Sequence, residues 1–158
     1  MPRHRSLAAK YRRLIVKEYE YWTLLVDPDQ AYLGSAYAWL VREGDMQRIS
    51  RLWAGELVEL QLVMRDHESA LVKLWQPDDM DYAWLGVQSD DKSGHGQMDF
   101  IPRYRTSRTL KLGALDFIDR RWGMDYMPYT SNVVSNRTLF KIRDLLRAEI
   151  PGSVRDTT

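Results

Sequence analysis

The sequence predicts an α+β domain in which an antiparallel sheet carries one long helix and a C-terminal helix. Segments rich in aromatic and β-branched residues, which suit strands, lie on both sides of a long stretch, 46 to 76, with apolar residues recurring at three and four. A shorter stretch near the end repeats that spacing behind a capping residue. Between them fall Pro, Asp and Gly, the residues of tight turns.

Taken in order, "PRHRSLAAKYRR" gathers Arg3, Arg5, Lys10, Arg12 and Arg13 with no acidic residue before Glu18. It reads as a solvated basic N-terminal segment, 1 to 18, because "LAA" is too short for a secretory apolar core. "YEYWTLLVD" (19 to 27) and "AYLGSAYAWLVRE" (31 to 43) read as antiparallel strands joined by the hairpin turn "PDQ". Gly34 inside the second suggests a bulge or a close backbone approach. In 46 to 76 the stripe Leu52, Trp53, Leu57, Leu60, Met64, Leu71, Leu74 and Trp75 predicts the core face of a helix, with a short preceding turn as an option. Glu56, Glu59, Arg65 and Lys73 fall on its other faces and Pro77 stops it.

"MDYAWLGVQ" (80 to 88), the loop "SDDKSG" and the stretch opening at "GHGQMDF" predict strand, loop, strand. Residues 105 to 135 have no clean period and read as a short strand followed by an irregular segment over the sheet. "SNRTLFKIRDLLRAEI" places Leu139, Ile142, Leu145 and Leu146 on one helix face behind a Ser135 or Asn136 cap, and "PG" at 151 and 152 closes it. The domain is therefore expected over 19 to 150, with a tail from 151 to 158.

A chain of 158 residues suits one domain, and 44% hydrophobic with 28% charged residues, without a long apolar run, implies a soluble protein, by default cytoplasmic, with no membrane partner. The absence of cysteine removes disulfides, thiolate nucleophiles and Cys-ligated metals. A net charge of +1 offers no global field for nucleic acid, which is not expected as a partner.

Within "GHGQMDFIPRY" (94 to 104), strand alternation puts His95, Gln97 and Asp99 on one side in steps of about 7 Å, with Met98 and Phe100 on the other. Such a row is also what any half-exposed strand shows. Two neighbours give it more chemistry: "SDDKSG" offers hydroxyls, Lys92 and glycine-permitted N–H groups, and Arg103 a guanidinium suited to phosphate.

On these residues the chain resembles bacterial members of the histidine-triad (HIT) superfamily, whose three alternating histidines are followed by Ile-Pro-Arg-Tyr. Anchored on Ile101-Pro102-Arg103-Tyr104, the triad becomes His95, Gln97 and Asp99, so it is degenerate. "YWTLLVDPDQAYLGSAYAWLVRE", "ALVKLWQPD", "DYAWLG" and "FIDRRWGMDYMPY" resemble further segments of that branch, in order. The resemblance implies a HIT-like sheet, a homodimer joined through the long helix and an edge strand, and a purine nucleotide or related phosphate ligand. In that family the middle histidine attacks the α-phosphorus.

Gln97 cannot do so, because its amide lone pair is delocalised into the carbonyl. An ionised Asp99 would repel phosphate unless burial, Arg103, Lys92 or a divalent cation compensates. The implied reading is a nucleotide-binding protein that has lost covalent histidine catalysis, with His95, Gln97, Asp99, Gln88, Ser93 and Arg103 around the phosphate and no cofactor or resident metal.

The alternative is an active nucleotide phosphohydrolase or nucleotidyltransferase using His95. In a rival register "SGHGQ" resembles the His-Pro-His-Gly-Gln of sugar nucleotidyltransferases and puts His95 in the attacking slot. A metal set of Asp90, Asp91, Asp99 and His95 is a lesser option. His67, in the polar "RDHES", and His4 read as surface residues, and "WGMDY" (122 to 126) as a core or lid segment.

Overall fold

The computed structural model describes residues 9–44, 48–87 and 95–155. A single helical turn, α1 (Ala9–Arg12), leads into β1 (Ile15–Glu18), β2 (Trp22–Val26) and β3 (Ala36–Glu43). A 3-10 turn (Ile49–Arg51) precedes the long helix α2 (Ala54–Leu74), and β4 (Asp79–Val87) and β5 (His95–Arg103) follow. The small hairpin β6 (Leu110–Leu112) and β7 (Leu115–Phe117) and the helix α3 (Asn136–Glu149) complete the order. β1 to β5 form one antiparallel sheet in the order β1-β2-β3-β5-β4, as the sequence predicts for an α+β domain. Because β1 is part of it, the sheet begins upstream of residue 19.

Strand alternation divides the sheet into two faces. Trp22, Leu24, Val26, Ala36, Ala38, Leu40, Met98 and Phe100 point into the core with α2 residues Leu60, Val63, Ala70 and Leu71 and α3 residues Leu139, Ile142 and Leu146. Leu145, expected with the last three, is only half-buried. The opposite face carries a smaller apolar cluster, Ile15, Leu25 and Tyr37, with Tyr11 of α1, Trp39 and Val154 packed on it. Among the described residues no other helix lies on this second face, which bears the polar row of β5.

The long helix turns most of the expected stripe inward, with Leu52, Leu60 and Leu71 buried and Met64, Leu74 and Trp75 packed against the core, but adds members the apolar pattern does not show. Glu56, Leu60, Val63, His67, Ala70 and Leu71 are buried, whereas Trp53 and Leu57 are 56% and 43% exposed. The phase is set by two buried polar anchors. Glu56 takes a two-point contact from Arg42, at 2.7 and 3.0 Å, and also accepts from the Trp53 N–H, closing the helix start. His67, expected at the surface, is fully buried and its Nε2–H donates to the Gly34 carbonyl at 2.9 Å.

Gly34 is a close approach: its φ is +93°, and a Cβ there would lie 2.5 Å from Leu71 Cδ2. The expected hairpin between the first two predicted strands is instead a longer connection, 27–35, since β3 begins only at Ala36. Buried Gln30 knits it, donating to Asp27 O and Ser35 O and accepting from Gly34 N.

Candidate functional site

On the open face, Trp39 stands opposite Gln97 and Tyr37 opposite Asp99. The Trp39 indole N–H donates to Gln97 Oε1 at 2.9 Å, and Gln97 Nε2 donates to Asp99 Oδ1 at 2.8 Å. The amide is thereby held at both ends in a chain of indole, carboxamide and carboxylate. Tyr37, Trp39 and His95 lie with nearly parallel rings, 7° and 1° between successive planes, at centroid separations of 5.7 and 6.4 Å.

His95 enters this row through an irregularity. The β3–β5 register breaks between Trp39 and Glu43, and the imidazole lies beside the break, its Nδ1–H donating to the Leu40 carbonyl at 2.6 Å. Since a carbonyl only accepts, the neutral ring carries its proton on Nδ1, leaving a lone pair on Nε2. Nε2 lies 3.7 Å from Glu43 Oε1, and the His95 side chain is 4% exposed.

The electrostatics of the face are acidic. Burial pushes the Asp27 carboxyl up to about 7, Asp29 N–H opposes the shift, and the Asp99 and Asp29 charges add to it. Asp99 is also raised by burial, against the stabilising amide of Gln97. Tyr129 is pushed up to about 12, first by burial and then by Asp29, Asp27 and Asp99, so these carboxylates gather around one phenol. Asp29 holds the overlying chain in place, accepting from Ser131 Oγ at 2.7 Å and Asn132 N at 2.9 Å. Partial neutralisation of Asp27, whose carboxyl is pushed up to about 7, lowers the repulsion an anion would meet here.

Arg103, expected to face a phosphate, is a structural cation. Its Nε and Nη2 grip Asp119 at 2.8 and 3.3 Å, Nη1 reaches Asp81 at 2.9 Å, and the remaining N–H groups donate to Met124 O and Arg121 O. With five donors answered and the residue 4% exposed, it pins the 119–124 segment to the sheet. "WGMDY" thus lies beside the β4 edge, where Trp122, Met124 and Tyr126 line a cleft of about 500 Å³ with Asp79 and Asp81.

Gln88, Asp90, Asp91, Lys92 and Ser93 lie outside the described residues, as does His4. Among the described residues no group of three or more His, Asp or Glu is placed to hold a metal ion. The expected row His95, Gln97 and Asp99 does come together, while Asp27, Tyr37, Trp39 and Glu43 join it without having been singled out. Their one signal in the sequence is parity within neighbouring strands.

Solved structures of histidine-triad proteins superpose on most of this chain. A hypothetical histidine triad nucleotide-binding protein from Sulfolobus tokodaii superposes with a TM-score of 0.60, at 11% identity, over 92% of this chain and 86% of that one. The chain has the histidine-triad fold. A histidine triad protein from Bradyrhizobium japonicum gives 0.59 at 16% identity over 91% and 96% of the two chains. The diadenosine triphosphate hydrolase of Plasmodium falciparum gives 0.57 at 13% over 87% and 76%. No family model matches the sequence, and no curated protein matches it. At such identities the likeness is one of architecture, and chemistry on this histidine-triad fold has to be argued from the chain's own side chains.

Proposed function

We propose that this chain is a HIT-like protein of the bacterial branch that binds a purine nucleotide or related phosphate ligand on the open sheet face and has lost covalent histidine catalysis. The observation that carries the reading is Gln97, which occupies the middle of the row and is fixed there by Trp39 and Asp99. An amide so held can donate its second N–H to a phosphoryl oxygen, but its nitrogen has no lone pair with which to attack phosphorus. Two structural neighbours, named as a nucleotide-binding protein and a diadenosine triphosphate hydrolase, support the ligand class. Binding by Gln88 and Ser93 belongs to the same proposal, as does a cytoplasmic homodimer.

A second reading has its own support. His95 has its proton held on Nδ1 by Leu40 O, the tautomer that presents Nε2 as a base or nucleophile, so turnover at an α-phosphate through His95 is the alternative. The two separate on incubation with adenosine phosphoramidate and diadenosine polyphosphates. The binding reading expects no AMP release, while AMP raises the melting temperature and Gln97→Ala diminishes that rise. AMP release abolished by His95→Ala would instead establish the enzyme.

A further inference from the structure

The outer face of α3 carries a second cluster of charged and apolar side chains, on different elements from the sheet row. Ser135 caps the helix through Thr138 N–H, and the first turn holds no acidic residue. Arg137 and Lys141, one turn apart on this face, make no ion pair or side-chain hydrogen bond among the described residues. Other charges of the helix are answered. Asp144 faces Arg143 and Arg147, and Glu149 faces Lys73.

Two cavities, about 620 and 690 Å³, share these two cations as lining. Phe140 and Leu145 line the first, and Leu115 and Val133 the second. Leu115 is 41% and Val133 75% exposed, a large apolar surface to leave in water beside uncompensated charge. The first cavity follows α3 as a groove from residue 137 to 145, with its apolar and cationic side chains side by side. The positive end of the helix dipole adds to the same side.

We infer that this groove docks an amphipathic acidic helix of a partner protein. Apolar side chains of that helix rest on Phe140, Leu145, Leu115 and Val133, and its carboxylates face Arg137 and Lys141. Charge complementarity selects an acidic occupant, and the exposed apolar side chains beside the two cations select an amphipathic one.

The test uses the full chain and a synthetic amphipathic peptide of about four helical turns, with a leucine stripe flanked by glutamates, against a counterpart with lysines in their place. The glutamate peptide is expected to bind, to shift the NMR resonances of Leu115, Val133, Phe140 and Leu145, and to weaken as salt rises. Arg137→Glu with Lys141→Glu is expected to weaken it about tenfold or more and to favour the lysine peptide, with the melting temperature unchanged. Val133→Ser, at a highly exposed position, gives an independent loss of affinity. Equal affinity for the two peptides, shifts confined to other surfaces, or a charge-reversed variant that changes only the oligomeric state would overturn the inference.

Discussion

His67 and Arg103 show how a single side chain can be decided by a partner distant in sequence. Burial holds the His67 imidazole down at about 4, so it is neutral in the fold, and its Nδ1 meets no hydrogen-bond partner among the described residues. A base whose folded pKa lies below its unfolded value takes up protons on unfolding, so stability is full above about 6.5 and falls as pH drops towards 4. Measured by denaturant titration, the slope should reach about 1.4 kcal/mol per pH unit at most, and His67→Gln, which can still donate to Gly34 O, should flatten it. Arg103→Met leaves Asp119, whose side chain is fully buried, without its cation, and should cost about 3–5 kcal/mol in the same measurement. The row of His95, Gln97 and Asp99 was legible from alternation alone. The role of Arg103 was not, because nothing in "IPRY" reveals that Asp119 will fold back onto it, and His67 was hidden among the polar neighbours of "RDHES".

At the level of elements, composition and spacing located the two long helices, most strands and most of the buried stripe of α2, but not the polar members of that stripe or the length of the 27–35 connection. Apolar count alone favours burying Trp53 and Leu57. The Arg42–Glu56 contact and the insertion of His67 beneath Gly34 instead turn the helix so that a glutamate and a histidine face inward. Gly34 is where α2 and the connection meet, so Gly34→Ala should be costly on two grounds. Backbone strain at φ +93° contributes about 1–3 kcal/mol, and crowding of Leu71 by the added methyl a comparable amount. Pairing it with Leu71→Ala should return only the crowding part, a distinction that a double-mutant cycle measures.

The whole molecule treats its two sheet edges differently. The β1 side is covered, with Arg143 and Arg147 donating to Arg13 O and Ile15 O, and Val154 N–H to Val16 O. The β4 side has no neighbouring strand among the described residues, and Leu85 on it is 41% exposed. On α2, Val58, Leu62 and Val72 are 71%, 50% and 50% exposed, an apolar stripe that supports the proposed homodimer. Val58→Glu with Leu62→Glu should therefore shift sedimentation from dimer to monomer with the helical circular dichroism kept, and a wild-type chain that sediments as a monomer would remove the dimer from the account. Self-association was open in the sequence because the same apolar positions serve a core or a partner equally well.

Binding and turnover differ in which side chain on the open face meets a bound phosphoryl group. A crystal structure with AMP bound tests it most directly. The α-phosphate is expected within hydrogen-bond reach of the Gln97 amide, with no bond from any histidine to phosphorus. His95 Nε2 found in line behind the phosphorus, opposite the leaving oxygen, would contradict it.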